Sequence, residues 1–311
     1  MRFFDLHCDT LGRTWDAYNI GDKDENFVEN SYDVSLEKAE NYKPYIGCFA
    51  IWIPDEIRGD ATLNLFKKAY EKLKSQGKKH PKYFKIIKNK NDLESAKNGI
   101  IFTVEGGAAL AGDLNNVKYF HDCGVKIMTL TWNGSCELGD GVGVENAKGL
   151  TPFGVKVVKK MEKWGIVVDV SHASEALFYD VVEHATKPFL ATHSNSKVQC
   201  PHQRNLTDEQ FKVIKSVGGV VGLTFAKLFL KDKNDATFED IQRHAEHFLA
   251  LGGENTVCIG TDFDGTDMPE GMHGIESVEN LYEYFLMKNY KEELVDKMFF
   301  KNAHDFMIKF L

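Results

Sequence analysis

The chain has no cysteines paired at redox or metal-finger spacing. Its six, Cys8, Cys48, Cys123, Cys136, Cys200 and Cys258, are scattered. That argues against a disulfide scaffold and fits a reduced protein. Cys8, Cys48 and Cys258 sit inside apolar runs, where a small buried thiol is the usual outcome. No uncharged stretch is long enough to span a bilayer. The opening Met1-Arg2-Phe3-Phe4-Asp5 lacks a signal-peptide run, because Asp5 interrupts it, and Met307-Ile308-Lys309-Phe310-Leu311 carries no anchor pattern. The expectation is a cytoplasmic protein with no membrane attachment. Positive charge is short: 38 Lys and Arg against 46 Asp and Glu leave a net charge of −8. Nucleic acid and anionic membranes are therefore disfavoured as partners. The lysine-rich stretch from residue 62 to Lys85 reads as a solvated helix face. There is no fixed-period repeat. No Gly-x-Gly-x-x-Gly follows the first strand, which weighs against a doubly wound dinucleotide-binding sheet.

What is present is ample apolar material, 43% of 311 residues, enough for a large core. After the stretch 3–10 come a loop with scattered acids from Asp16 to Asn30 and a short amphipathic segment over 35–42. Apolar runs at 45–53, 99–105, 125–131, 166–172, 188–193, 218–225 and 255–262 complete eight candidate strands with the first. Helical patterns at 62–75, 115–123, 174–185, 207–216 and 238–251 separate many of them, and another opens at Thr151-Pro152, a cap followed by proline in the first turn. Segments at 278–287 and 292–310 close the chain. Strands alternating with helices predict a parallel sheet. Eight of them at this length predict an α/β fold, a (β/α)8 TIM barrel with C-terminal helices, as one domain over 1–311.

The site of such a barrel lies at the C-terminal ends of its strands. His7 and Asp9 end strand one, Glu105 strand three, His172 strand five, His193 strand six and Asp262 strand eight. Three histidines and three carboxylates gathered at one end of a barrel are costly to bury without a cation. Imidazole and carboxylate donors suit a borderline ion such as zinc. The set is large enough for two ions: His7 and Asp9 on one, His172 and His193 on the other, Glu105 bridging. Two such metals acidify a bridging water and polarise a carbonyl. Asp262 would take the water's proton and pass it to a leaving amine. The chemistry predicted is metal-assisted hydrolysis of an amide-like bond.

Seven motifs carry a resemblance. They are Asp5-Leu6-His7-Cys8-Asp9-Thr10, Val104-Glu105-Gly106-Gly107, Gly149-Leu150-Thr151-Pro152-Phe153-Gly154, Val168-Asp169-Val170-Ser171-His172, Thr192-His193-Ser194, Arg204-Asn205-Leu206-Thr207-Asp208 and Gly260-Thr261-Asp262-Phe263-Asp264-Gly265. In this order the chain resembles the membrane dipeptidase (renal dipeptidase) family of metal-dependent amidohydrolase barrels. The resemblance implies a binuclear zinc hydrolase of dipeptides, often accepting a D-residue at the C-terminal position. It implies the ligand set above, Asp262 as acid/base, and Arg204 on the substrate's C-terminal carboxylate. It is also compatible with a homodimer. One position departs: Trp132 stands where the best-known members carry a histidine near the scissile carbonyl oxygen. An indole N–H donates one hydrogen bond and carries no charge. Carbonyl polarisation would then rest on zinc or on a nearby donor such as Asn133. The alternative reading is an amidohydrolase acting on an N-acyl amino acid or a cyclic amide. A non-catalytic binder built on the same barrel would be expected to have lost ligands, yet all six site residues are present.

Overall fold

The structure, a computed structural model, describes residues 1–14, 26–232 and 235–311. The expected acidic loop lies outside the described residues as far as Glu25. Among the described residues there are ten strands: β1 (Phe3–Cys8), β2 (Tyr45–Trp52), β3 (Lys85–Ile86), β4 (Asn98–Glu105), β5 (Val125–Thr129), β6 (Ser135–Cys136), β7 (Gly139–Asp140), β8 (Val167–Asp169), β9 (Val221–Leu223) and β10 (Val257–Ile259). Seven run parallel in the order β8-β5-β4-β2-β1-β10-β9. The short β3 was not expected. It takes the edge of β4 at Gly99 and Ile100, before β5 joins at Phe102. β6 and β7 form a small antiparallel hairpin.

The sixth expected strand is reduced to two bridged residues, Leu190 opposite Asp169 and Ala191 opposite Val221. It nevertheless closes the ring. Val170 N donates to Leu190 O at 2.9 Å, and Gly222 N donates to Ala191 O at 2.9 Å. The (β/α)8 barrel is therefore present, with its sixth position compressed. Glycine allows that compression: a Cβ on Gly222 or Gly260 would run into the Thr192 carbonyl.

The helices begin and end where local chemistry directs. Thr151 accepts from Gly154 N ahead of Pro152–Trp164, and Gly165 at φ 71° ends that helix. Thr207 and Gln210 form a reciprocal capping box at the start of Asp208–Ser216. Asp60–Lys79 buries Leu65, Phe66, Ala69 and Leu73, while Lys67, Lys68, Lys78 and Lys79 are exposed, as expected of a solvated face. The amphipathic segment 35–42 contains the 3-10 turn Lys38–Asn41 and buries Leu36, Ala39 and Tyr42 while Glu37 and Glu40 are exposed. One expectation needs correction. The closing helix is broken into Glu292–Asp296, a π-helical turn at Lys297–Lys301, and Asn302–Met307. The wider turn buries Met298, Phe299 and Phe300 together. It also lets the Asn302 amide reach Glu254 O and Val257 O at 2.9 and 2.8 Å.

One apolar cluster draws on every barrel position, among them Leu6, Cys48, Ile101, Ile127, Val167, Leu190 and Cys258, together with Phe300 and Phe306 of the C-terminal segment. It fills the barrel on the side away from the strands' C-terminal ends. A larger cluster packs the sheet against the helices. The polar strand ends thus sit above a dry floor. Among the described residues, no helix is long and apolar enough to cross a membrane.

Candidate metal centre

His7 lies within β1, and Asp9 opens the short helical turn Thr10–Arg13. Glu105 is the last residue of β4, in register with Trp52 and Thr129. His172 follows β8 and Asp262 follows β10, with φ of 63° and 65°. A residue with a side chain in this left-handed region costs on the order of 1–3 kcal/mol, a strain that gathers at functional sites. All six expected site residues are buried, and the fold brings them to one place. His7 Nε2 is 3.4 Å from Asp9 Oδ2, 3.8 Å from Glu105 Oε2 and 3.8 Å from Asp262 Oδ1. The other Glu105 oxygen, Oε1, is 2.9 Å from His172 Nε2 and 3.4 Å from His193 Nε2. Glu105 therefore gives one oxygen to each side. Donor atoms of His7, Glu105 and His193 lie within 4.8 Å of one another, as do those of His7, Asp9 and Asp262. The two halves meet at the His7 and His193 rings, whose centroids are 4.0 Å apart.

Two buried aspartates hold this cluster from below. Asp169 Oδ1 accepts from Ser171 N and Thr192 N, both at 2.9 Å. Its Oδ2 accepts from Thr129 Oγ1 at 2.6 Å and Thr192 Oγ1 at 2.7 Å. Asp5 does the same on the other side, accepting from His7 N, Thr261 N and Thr261 Oγ1 at 3.2, 2.8 and 2.7 Å. Sequence reasoning missed both roles, although a carboxylate inside an apolar strand was a visible signal.

These bonds fix the imidazole tautomers. The Thr192 hydroxyl hydrogen goes to Asp169, so His193 Nδ1 must donate to Thr192 Oγ1, 2.8 Å away. His172 Nδ1 faces Asn133 Oδ1 at 2.8 Å and donates likewise. Asn133, expected beside the scissile carbonyl, thus meets a histidine. Both Nε2 atoms then present lone pairs to each other at 3.0 Å. Two lone pairs brought this close would be relieved by a cation that both histidines could hold. Among the described residues, His7 Nε2 and Asp9 Oδ1 are also buried without a hydrogen-bond partner. The nitrogen and oxygen donor set fits divalent metal.

Electrostatics among the side chains alone agree. Burial opposes charge on His7, but Glu105, Asp9 and Asp262 outweigh it and push its imidazole up to about 10. Burial drives Glu105 well above the usual carboxylate range, only partly countered by His7. It pushes Asp262 up to about 6. Burial, with Arg204 and His7 nearby, holds His172 and His193 well below the ordinary imidazole value. Buried carboxyls that resist ionising, as Glu105 and Asp262 do, are what a cation relieves.

A cavity of about 240 Å³ opens over the cluster, walled by Trp52, Trp132 and Phe229. Trp132 stands edge-on to Trp52, with centroids 4.9 Å apart, and 6.1 Å from the His172 ring. Arg204 lines a second cavity of about 280 Å³, and His172 borders both. Its guanidinium lies 5.3 Å from the Phe229 ring, Nη2 donates to His193 O at 3.4 Å, and among the described residues the buried Nε has no hydrogen-bond partner. Burial lowers its pKa to about 10 despite Asp262 and Glu105, so it remains a cation at neutral pH.

Comparison with known proteins adds independent findings. The family model described as membrane dipeptidase (peptidase family M19) matches residues 1–307. An uncharacterized protein in the pqqA 5′ region of Klebsiella pneumoniae is 32% identical over 209 residues, 64% of this chain and 77% of that one. Dipeptidase 3 of Homo sapiens is 30% identical over 206 residues, 64% of this chain but only 42% of that protein. Among solved structures, a metallo peptidase from Rhodobacter sphaeroides, liganded with a phosphinate mimic of L-Ala-D-Ala, superposes with a TM-score of 0.90 at 24% identity, covering 100% of this chain and 99% of that one. The dipeptidase AC, a family M19 metallo peptidase, gives 0.88 at 26% identity, covering 99% and 98%.

Proposed function

Because the chain belongs to the membrane dipeptidase family, peptidase family M19, whose members are hydrolases of dipeptides, we propose that it cleaves dipeptides, including L,D-dipeptides, at a two-zinc centre. The observation that carries the metal reading is the pair of His172 and His193 lone pairs facing each other beside the shared Glu105 carboxylate. His7 and Asp9 would hold one ion, His172 and His193 the other, and Glu105 both. When bound, the metals would supply Lewis acidity toward the substrate carbonyl and a nucleophile at neutral pH.

The chain's own residues would do the rest. Asp262 would accept a proton from the attacking water and deliver it to the departing amine. Arg204, a buried cation with an unanswered Nε, would hold the C-terminal carboxylate by two parallel hydrogen bonds. That requires the substrate to reach past His172, since Arg204 lines the adjoining cavity. The tryptophan wall would keep bulk water out and leave the polar contacts in a low dielectric. Six free cysteines support placement in a reducing compartment such as the cytoplasm.

Zinc-loaded protein is expected to turn over members of a panel of L,L and L,D dipeptides. Chelator-stripped protein should fall to background and recover on adding zinc back. A fully metallated protein that cleaves none of the panel would overturn the dipeptidase reading in favour of N-acyl amino acids or cyclic amides.

Asn133 would serve the metal as a positioning residue. Its amide holds His172 with Nε2 outward, and partners that orient a ligating histidine are typically worth about 10–100-fold in metal affinity. Asn133→Ala is expected to lower zinc affinity by that factor, read by competition with a chromogenic chelator. Unchanged affinity would remove Asn133 from this role.

A further inference from the structure

The metal-facing cavity is also lined by a second arginine that the reading above leaves without a task. Arg13 ends the helical turn that Asp9 opens, and the buried Thr10, Leu11 and Gly12 fix that turn. Its guanidinium lies 5.6 Å from the Tyr32 ring, and the Tyr32 hydroxyl donates to Arg13 O at 3.0 Å. The next residue, Asp33, exchanges two hydrogen bonds with Asp264 at 2.8 and 3.0 Å, and Asp264 lines the same cavity. The arginine is thus braced against the cavity wall rather than trailing into solvent.

Yet it is not satisfied there. Its buried Nε has no hydrogen-bond partner among the described residues. Among the described residues, its guanidinium makes no ion pair within 4.0 Å. Asp33, whose carboxyl burial pushes up and the Arg13 charge pulls down, already accepts from Asp264 N at 3.0 Å, and the carboxylates that line the same cavity are engaged elsewhere. Asp264 accepts from Thr10 Oγ1 at 2.5 Å and from Asp33 N, while Asp9 and Asp262 belong to the metal cluster. A buried donor without a partner is costly unless a ligand answers it. A guanidinium held by an aromatic ring offers a planar carboxylate two parallel bonds.

The two arginines occupy different cavities, Arg13 over the metal cluster and Arg204 in the adjoining one. They give two seats for carboxylates. A dipeptide has one terminal carboxylate, so a second must come from a side chain. We propose that Arg13 binds the side-chain carboxylate of an aspartyl or glutamyl residue, making the enzyme selective for acidic dipeptides. This rests on the dipeptidase reading above.

The test compares kcat/KM of the zinc-loaded full chain for Ala-Ala, Ala-Asp, Asp-Ala and their glutamyl counterparts. Wild type is expected to prefer an acidic dipeptide over Ala-Ala by about tenfold or more, the scale of a site that answers a polar group with a dedicated partner. Arg13→Gln should erase that preference, chiefly through KM, and Arg13→Lys should restore part of it, since an ammonium keeps charge but loses the planar fork. Equal cleavage of acidic and neutral dipeptides by wild type would overturn the inference. So would loss by the same factor for both classes in Arg13→Lys, a variant that keeps the cation if Arg13→Gln fails to fold. Cleavage of neutral dipeptides without acidic preference sinks this inference alone, whereas no cleavage of any dipeptide sinks the dipeptidase reading with it.

Discussion

Glu105→Gln is expected to yield a folded protein that no longer holds its full metal complement and loses on the order of 10³-fold or more in kcat/KM. The geometry gives the reason. Glu105 turns Oε2 to His7 and Oε1 to His172 and His193, so one buried carboxylate serves both halves of the cluster. An amide of the same shape keeps one oxygen and puts an N–H₂ donor in the other's place. That donor would meet an imidazole lone pair comfortably and a cation badly. Burial already drives the Glu105 carboxyl toward its neutral form when no cation is near, so the substitution should cost metal-free protein little. The two samples should therefore melt alike after chelation and separate only on adding zinc, when wild type gains Tm by binding and the variant does not. Elemental analysis of each protein, paired with melts with and without zinc, checks this. A Glu105→Gln protein that retains two equivalents of zinc and wild-type turnover would mean that Glu105 is not the shared ligand.

The residues in that cluster were legible for a simple reason. Each stands at the end of an apolar strand, where hydrophobic patterning predicts burial and polarity contradicts it. His7, Glu105, His193 and Asp262 all carry that contradiction, and the barrel brings six such residues, from five strand ends, to one point. What lay beyond the sequence depends on partners far apart in the chain. Asp5 and Asp169 were visible as acids within strands. Their role appears only once Thr261 and Thr192 are brought alongside them. Asn133 could be placed at a strand end, but its partner His172 arrives from 39 residues away. The compressed sixth strand reflects the close approach of Gly222 and Gly260 to Thr192, which period counting does not register. The π-helical turn follows from what Asn302 and Phe300 meet beneath the barrel, so a continuous helical pattern hid it. Arg13 sits on a single turn beside residues that show no period.

Asp262→Asn is expected to lower kcat by about 10²–10⁴-fold, the usual worth of a positioned proton carrier, while metal content stays at the wild-type level and KM changes little. Asp262 has what the role requires. It is buried at the cavity floor, in a left-handed backbone conformation that aims it at the cluster. Burial pushes its carboxyl up to about 6, with His7 and Arg204 pulling it back and Asp9 adding to the rise. In the metal-free protein it therefore binds a proton more readily than an ordinary aspartate, and bound metal would draw it back toward the carboxylate form that accepts a proton from water. Asparagine preserves the shape and the hydrogen-bonding reach but cannot carry the proton, so chemistry should suffer while binding survives. The geometry also contains the competing possibility. Asp262 Oδ1 lies 3.8 Å from His7 Nε2 and shares a donor cluster with His7 and Asp9, which would suit a third ligand to the first metal. Measuring zinc stoichiometry on the same Asp262→Asn sample as kcat separates the two. Lost turnover with both metals retained assigns Asp262 to proton transfer. Loss of one zinc along with turnover makes it a ligand, and the proton carrier must then be sought among the other groups lining the cavity.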